Sequence, residues 1–483
     1  MQRIHADLSA DLFGAAASRR IEQACAAQLP PHTLMRRAGL AVARLAAALA
    51  PHARTVWIAC GPGNNGGDGF EAAAQLAQRG FRPVVSFAGD AARLPPDAQD
   101  ALARARAAGV PFTADAPAHF DLGVDALLGL GATRAPDGQL AAWLARLYDN
   151  ARPVIAVDLP SGLDADTGAS SFDFGAAPDG MRHCLSLLTL KPGLFTGHGR
   201  DAAGDIWFDD LQADAAAQGP DARLGAAPPG RLRPHASHKG SWGDVAVIGG
   251  APGMAGAALL AATAALHQGA GRVFLAPLDP SLPRLVPQRP ELMLRDACTL
   301  PLDTLTVVCG CGAGTELGPL LAQVLAQAPR AVLDADALNA IAADAALQRQ
   351  LAERLPRGQA TVLTPHPLEA ARLLGNDTAT VQRDRLAAAQ ALARRYRAAV
   401  VLKGSGSIVA APEQVPFINF SGNARLATGG TGDVLAGMIG AGLAAGLDAL
   451  QAAREAAWRH GALADAWPAT RPFTAGALAE GGA

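Results

Sequence analysis

One recurring unit constrains this chain more than any other feature. A short aliphatic run ends in a loop of glycines with amides or acids, and an alanine-rich helical stretch follows. Thr55-Val56-Trp57-Ile58-Ala59-Cys60 runs into Gly61-Pro62-Gly63-Asn64-Asn65-Gly66-Gly67-Asp68-Gly69, then a helix over Phe70–Arg79 and a strand over Pro83–Phe87. Asp244-Val245-Ala246-Val247-Ile248 runs into a loop over Gly249–Gly256, a helix from Ala257 to about Gln268, and a strand over Arg272–Leu275. Strand, loop, helix and strand in that order make the unit of a parallel sheet covered by helices. Other strand ends carry Asp125, Asp158, Gly310-Cys311-Gly312, Asp334-Ala335-Asp336, Thr364-Pro365-His366-Pro367 and Lys403-Gly404-Ser405-Gly406-Ser407. In open parallel sheets ligands bind beyond the carboxyl ends of the strands, so these loops predict pockets. Residues 18–50 carry apolar positions at helical spacing, broken into two helices at Pro30-Pro31. Periodicity disappears over Leu211–Pro234, which is rich in Ala, Gly, Pro and Asp and reads as a linker. The 483 residues therefore read as an α/β chain of two domains.

Composition excludes several functions. The formal net charge of −2 gives no basic excess for nucleic acid. The longest apolar run, Val434 to Leu447, is too short to span a bilayer and is flanked by Asp433 and Asp448. The first residues lack the apolar core of a signal peptide. The six cysteines form no CxxC pair, which reads as reduced thiols in the cytoplasm. A soluble cytoplasmic protein without nucleic-acid or membrane partners is expected.

Gly61 to Gly66 fits a dinucleotide fingerprint with Asp90 downstream, so an oxidoreductase is a rival reading. Asn64, Asn65 and Asp68 argue against it, because they crowd a loop where a pyrophosphate prefers bare backbone. Asn65, Asp125 and Ser161 together suit a hard cation or a hydroxyl-rich ligand, or serve as turn and helix caps. In the second half, Ala427-Thr428-Gly429-Gly430-Thr431-Gly432-Asp433 reads as a glycine loop opening a helix. Its N–H groups suit phosphate, and Asp433 suits a base acting on a hydroxyl that attacks one. The alternative is a turn capped by Asp433. Lys403 is placed to meet a phosphate or to be solvated. Asp334 and Asp336 suit a metal–nucleotide or a helix cap, and His366 lies in a rigid loop between two prolines.

Taken in order, these motifs resemble the fused bifunctional NAD(P)H-hydrate repair enzymes, which join an epimerase to an ADP-dependent dehydratase. The resemblance spans nearly the whole chain. Its N-terminal motifs are Leu34-Met35-Arg36-Arg37-Ala38-Gly39, Gly63 to Gly69, Asp125-Ala126-Leu127-Leu128-Gly129, Asp158-Leu159-Pro160-Ser161-Gly162 and Thr189-Leu190-Lys191-Pro192-Gly193. Its C-terminal motifs are His238-Lys239-Gly240, Gly253-Met254-Ala255-Gly256-Ala257, Asp334-Ala335-Asp336-Ala337-Leu338-Asn339, Leu363-Thr364-Pro365-His366-Pro367 and Gly429 to Asp433. Cys311 stands where the family has proline, Leu368 where it has glycine, and Ser407 where it has threonine.

The resemblance implies a Rossmann-like αβα sandwich over residues 1–215, a linker over 216–230, and a ribokinase-like αβα domain over 231–483. It implies that Asn64, Asn65, Gly66, Gly67, Asp68, Gly129, Leu130, Gly131, Ala132, Thr133, Arg134, Ala135 and Asp158 contact the hydrated dinucleotide, NADHX or NADPHX. Asn65, Asp125 and Ser161 would hold potassium. Asp158 is the candidate acid/base of epimerisation, with Asp68 as the other choice. In the dehydratase Ala257, Gly312, His366 and Asp433 would face substrate, with Asp433 as the base. Lys403, Gly404, Ser405, Gly406, Ser407 and Gly432 would line the ADP site, and Mg2+ is expected with the nucleotide. A homo-oligomer is expected. The alternatives are a ribokinase-like ATP-dependent kinase of a small molecule and a non-catalytic nucleotide sensor.

Overall fold

The computed structural model describes residues 1–131, 135–213, 218–230, 232–282, 285–315 and 317–481. The chain divides into two compact units, Met1–His5 with Ala10–Ala222 and Ala6–Ser9 with Arg223–Ala483. Among the described residues, no helix is long and apolar enough to cross a membrane.

The first unit is built on eight strands: β1 (Gln2–Arg3), β2 (Thr55–Cys60), β3 (Arg82–Phe87), β4 (Phe112–Thr113), β5 (Leu122–Ala126), β6 (Val154–Val157), β7 (Arg182–Leu187) and β8 (Asp205–Asp209). Their order is β1-β8-β7-β6-β5-β2-β3-β4, parallel except for the edge strand β1. Helices α1 (Ala15–Ala26), α2 (Thr33–Leu49), α3 (Asn64–Gln78) and α4 (Pro96–Ala107) pack apolar faces into one core with Val56, Ile58 and Cys60 of β2. On the other face of β2, Trp57 is fully buried and donates from Nε1 to Ser86 Oγ at 3.0 Å. Burial of both faces explains why β2 reads as an unbroken apolar run.

The second unit contains β9 (Ala222–Leu224), β10 (Asp244–Gly249), β11 (Arg272–Pro277), β12 (Met293–Leu294), β13 (Thr306–Cys309), β14 (Arg330–Leu333), β15 (Ala360–Leu363), β16 (Ala399–Leu402), β17 (Ile408–Ala410) and β18 (Phe417–Ile418). Their order is β12-β11-β10-β13-β14-β15-β16-β17-β18-β9, parallel from β12 to β16. Successive residues of β10 serve two cores: Val245 and Val247 on one face, Ala246 and Ile248 on the other. Helices α5 (Ala255–His267), α6 (Ala335–Ala343), α7 (Pro367–Leu374), α8 (Thr431–Ala444) and α9 (Ala449–Asp465) flank this sheet.

Three expectations are corrected. The helix expected from Phe70 begins at Asn64, so the Asn64–Gly69 segment is helix rather than loop. Helix α5 begins two residues before Ala257. The stretch read as a linker contains β9, whose Arg223 and Leu224 pair with Phe417 and Ile418.

Each sheet reverses its winding order once, between β2 and β5 and between β10 and β13. There the loops leaving adjacent strands touch. Gly61 N donates to Ala126 O at 3.0 Å, and a Cβ at Gly61 would overlap the Leu127 carbonyl. Gly250 N donates to Cys311 O at 3.0 Å, and a Cβ at Gly249 would overlap that same carbonyl. Both obstacles are backbone. Gly61→Ala and Gly249→Ala should each destabilise their own unit by about 1–3 kcal/mol, measured by denaturant unfolding. An unchanged midpoint in either variant would show that the loops have room to part.

Candidate functional site

Both units place their sequence-marked residues at the carboxyl ends of the strands. In the first unit these residues surround a cavity of about 610 Å³ lined by α1, the start of α3, the loop after β5, and Asp158 with Lys191. Asn64, Asn65, Asp68, Gly129, Leu130, Gly131 and Asp158 all line it. Gly66 and Gly67 do not. They are buried in the first turn of α3, and a Cβ on Gly67 would meet Met35 Cε at 2.7 Å and Ala98 at 2.9 Å. Ala132, Thr133 and Arg134 lie outside the described residues, and Ala135 is exposed.

Asp158 follows β6 in a left-handed conformation, φ 66°, which is costly for a residue with a Cβ. Its Oδ1 accepts from Leu187 N at 3.0 Å and from the ammonium of Lys191. Lys191 is buried and also donates to Leu187 O at 2.9 Å. The backbone strain is thus offset by a carboxylate locked on two donors. Burial, then the nearby Asp158 and Glu22 charges, push the Asp68 carboxyl well above the usual carboxylate range. Asp68 therefore favours its protonated form beside Asp158.

Asp125, fully buried at the end of β5, is held above its ordinary pKa by burial, against the hydrogen bonds it accepts. It accepts from Ser161 Oγ at 2.5 Å, Ser161 N at 2.8 Å, Tyr148 Oη at 3.2 Å and Leu127 N at 3.3 Å. Asn65 donates from Nδ2 to Leu128 O at 3.1 Å, while its Oδ1 is buried with no hydrogen-bond partner among the described residues. The Asn65 amide and the Ser161 hydroxyl both approach Leu128 O, at 3.1 and 3.3 Å, so an orphaned amide oxygen, a hydroxyl and a carboxylate come from neighbouring strand ends, oxygen donors of the kind a hard cation takes. Asp125 could join it only if the Ser161 hydroxyl turns aside, since its lone pairs are already engaged.

In the second unit Gly430 is the left-handed residue before α8, and Asp433 lies in the first turn of that helix. Asp433 Oδ, Asp334 Oδ and Cys311 Sγ lie within 4.8 Å of one another. Lys403 Nζ pairs with Asp334 at 2.8 Å and approaches Glu369 at 4.0 Å. A Cβ on Gly432 would stand 3.2 Å from Lys403 Nζ, so the lysine reaches the start of α8. Burial first, then Asp334, raises the Asp433 pKa to about 6, against the Cys311 thiol and Lys403, which lower it. Behind the helix start, buried His460 donates from Nε2 to Thr431 O at 2.9 Å. Burial lowers its pKa to about 4, so it is a neutral structural donor.

His366 caps α7. Its Nδ1 accepts from Leu368 N at 3.1 Å and Glu369 N at 3.3 Å, and Glu369 Oε2 accepts in turn from His366 N at 2.8 Å. The ring is half-exposed, and partial desolvation, then Lys403, lowers its pKa below the ordinary histidine value; with Nδ1 accepting, the neutral ring carries its proton on Nε2. Asp336 accepts from Gly314 N at 2.8 Å and so ties down the loop that carries Gly312. Gly312 packs on Ala257, and a Cβ there would stand 2.9 Å from that methyl. Lys403 to Ser407 link β16 to antiparallel β17, and Arg385 supports their start through Leu402 O and Lys403 O at 3.3 and 3.2 Å. Ser407 Oγ donates to Gly404 O at 3.2 Å.

Sequence reasoning assigned no role to Lys191, Glu22, Glu369, Arg385 or His460. The signal it had for Lys191 was the motif around it. For Glu369 it was the three-residue spacing from His366, the signature of a capping box.

The sequence model of a family described as YjeF-related protein N-terminus matches residues 31–193, and that of NAD(P)H-hydrate dehydratase matches residues 245–479. The chain is 38% identical over 469 residues to a bifunctional NAD(P)H-hydrate repair enzyme of Escherichia coli, covering 93% of this chain and 87% of the relative. It is 43% identical over 257 residues to an ADP-dependent (S)-NAD(P)H-hydrate dehydratase of Neisseria meningitidis, covering 52% of this chain and 85% of the relative. A crystal structure of an ADP/ATP-dependent NAD(P)H-hydrate dehydratase from Bacillus subtilis, grown with ATP and Mg2+, is 30% identical. It covers 52% of this chain and 91% of that one, with a TM-score of 0.44.

The raised pKa of Asp433 has a thermodynamic consequence. A carboxyl whose folded pKa lies above its unfolded value destabilises the fold wherever it is ionised. The penalty is full above pH 6 and vanishes below the unfolded value near 4. Asp433→Asn should therefore stabilise the protein at pH 8 by on the order of 2 kcal/mol, after allowance for partial exposure, with no gain at acid pH. Thermal unfolding across pH measures this, and equal melting temperatures at pH 8 would contradict it.

Proposed function

The chain belongs to the family of bifunctional NAD(P)H-hydrate repair enzymes, and from that premise we propose that its two sites repair hydrated NAD(P)H in sequence. The first interconverts the R and S epimers of NADHX and NADPHX. The second dehydrates the S form at the expense of ADP, giving NAD(P)H, AMP and phosphate. The observation that carries the second assignment is Asp433, a carboxylate with a pKa near 6 in the first turn of a helix that begins beside Lys403.

In the dehydratase, the substrate hydroxyl sits on the reduced nicotinamide ring carbon beside the ring nitrogen. Asp433 takes its proton as the oxygen attacks the terminal phosphorus of ADP, and AMP leaves. The N–H groups of Gly429 to Gly432 and the Lys403 ammonium stabilise charge on the moving phosphoryl group. The ring nitrogen then expels phosphate, a far better leaving group than hydroxide, and the neighbouring ring carbon gives a proton to water, its C–H electrons forming the ring C=C bond as the C=N⁺ electrons return to nitrogen. Ala257, Gly312 and His366 bound the substrate side, and Lys403, Gly404, Ser405, Gly406, Ser407 and Gly432 the nucleotide side. Asp334 and Asp433 offer Mg2+ two oxygens, but Cys311 is a poor ligand for it and Lys403 already holds Asp334. Mg2+ would thus be held chiefly by the nucleotide phosphates and supply charge neutralisation.

In the epimerase, Asp158 is the acid/base group, and Lys191 fixes its carboxylate. Asp68 is the neighbouring proton store. Asn65 Oδ1, Asp125 and Ser161 would hold K+, which orders the loops after β2, β5 and β6. We assign residues 1–215 to epimerisation and 231–483 to dehydration, with 216–230 between them. A cytoplasmic homo-oligomer acting on small molecules alone completes the reading.

Racemic NADHX with ADP tests the pair of activities through the return of NADH absorbance. Complete recovery requires both sites, whereas recovery of half the substrate means that only dehydration works. A stable phosphorylated product would instead support a kinase. Asp433→Asn should lose about 10²–10⁴-fold in dehydration and keep epimerisation. Wild-type dehydration should rise with pH through about 6 as Asp433 ionises, and a flat profile there would remove Asp433 as the base. Replacing K+ by a bulky organic cation should slow epimerisation only, and Asn65→Ala should abolish that response.

A further inference from the structure

Helix α1 brings a third carboxylate into the first cavity. Glu22 is the only acidic residue of Ala15–Ala26, and it lines the cavity together with Asp68 and Asp158. The helix is pinned in place on that side. Ser18 Oγ bonds Thr189 Oγ1 at 2.7 Å, and Arg19 donates to Leu130 O at 2.8 Å. Ser18 and Arg19 lie four and three residues before Glu22, so all three share one helical face. The Ser18 bond ties this face to the segment that carries Lys191, the partner of Asp158. The Arg19 bond ties it to the loop that carries Gly129 and Leu130. Glu22 thus reaches the cavity from a wall that neither β6 nor α3 supplies.

We propose that Glu22 is a second acid/base group of epimerisation, serving the ring face opposite the one served by Asp158. The inference rests on the epimerase reading and deepens it. Inverting the hydroxyl-bearing carbon needs proton transfer on both faces of the ring. On one face a carboxylic acid gives its proton to the hydroxyl, the C–O bond breaks, water departs, and the ring nitrogen lone pair forms a C=N⁺ bond. On the other face water adds to that carbon, its proton passes to a carboxylate, and the C=N⁺ electrons return to nitrogen. One acid has lost a proton and one carboxylate has gained one, and exchange with cavity water resets both. Two groups on separate walls satisfy this, whereas a single fixed carboxylate serves one face.

The surroundings suit the role. Glu22 is exposed to solvent within the cavity, as a group that exchanges protons must be. Asp158, Lys191, Asp68, Asp97 and its own neighbour Arg19 face it, and the cavity walls, which strip part of its hydration, followed by Asp158, raise its pKa. Glu22 therefore stays protonated further towards neutral pH than a free glutamate, as an acid at this work requires.

The test uses the full chain with Glu22→Gln and Glu22→Asp. Separated NADHX epimers in ¹⁸O-labelled water report two events, inversion and exchange of the ring hydroxyl. Glu22→Gln should slow inversion by about 10²-fold or more with little change in KM, while dehydration of the S form is retained. Oxygen exchange without inversion should persist for one epimer only, the one whose hydroxyl faces Asp158. Glu22→Asp should restore part of the inversion, because it keeps the carboxyl group. Wild-type inversion by Glu22→Gln, loss of exchange for both epimers together, or an Asp variant as impaired as Gln would each overturn the proposal. If the wild-type chain does not invert NADHX at all, the epimerase reading itself falls, and this inference with it.

Discussion

Both units depend on two strand-end loops touching backbone to backbone at the point where the sheet reverses its winding order. Gly61 lies against the Leu127 carbonyl in one unit and Gly249 against the Cys311 carbonyl in the other. A side chain at either position would pry the loops apart. With them touching, Asn65 on α3 reaches the loop after β5, where it donates to Leu128 O. The corresponding contact in the second unit turns Cys311 and Gly312 towards α5 and α8, so that Cys311 Sγ meets Asp433. The same topological rule therefore yields two crevices of different chemistry.

The difference lies in how charge is arranged. The first cavity gathers Glu22, Asp68 and Asp158 against the buried Lys191, an excess of carboxyl groups that cannot all ionise cheaply. Such a cluster keeps protons available near neutrality, which suits water leaving and returning at a carbon. The second site sets a lysine and a helix N-terminus against Asp334 and Asp433. Lys403 stays protonated there because Asp334 and Glu369 outweigh the cost of its burial. That cation and those N–H groups suit the phosphates of a nucleotide.

Much of this was legible because parallel strands buried on both faces announce themselves as apolar runs, and their loops carry the chemistry. Helix α3 was not legible in full. Gly66, Gly67 and Gly69 are poor helix formers, yet all three are helical, and only glycine fits: the Gly61 backbone stands where a Gly66 side chain would be, Met35 and Ala98 where one of Gly67 would be, and Ala126 and Cys60 where one of Gly69 would be. Packing overrides local propensity there. Ion pairs such as Lys403 with Asp334, 69 residues away, leave no local trace. Glu22 reads in sequence as one more polar residue on a surface helix, and only the fold turns that face onto a cavity. His366 shows the converse. Its flanking prolines marked a rigid loop, but the rigidity serves a capping box that holds Glu369 towards Lys403.

Asp433 shows why the second site is so heavily braced. Its pKa near 6 makes it a stronger base than a free aspartate, and the same shift measures how much the fold suffers when it ionises. A bound polyphosphate would raise the pKa further. The carboxylate would relax by moving out to solvent unless its helix were fixed. His460 holds Thr431 O from behind, and Thr431 Oγ1 donates to Leu426 O and Thr428 O at 2.8 and 2.9 Å, so the turn before Asp433 is tied at both ends. None of these bonds needs to touch a substrate. Their work is to hold an ill-placed charge at the start of its helix, and the structure bears that cost through the packing of α8 against its sheet and α5.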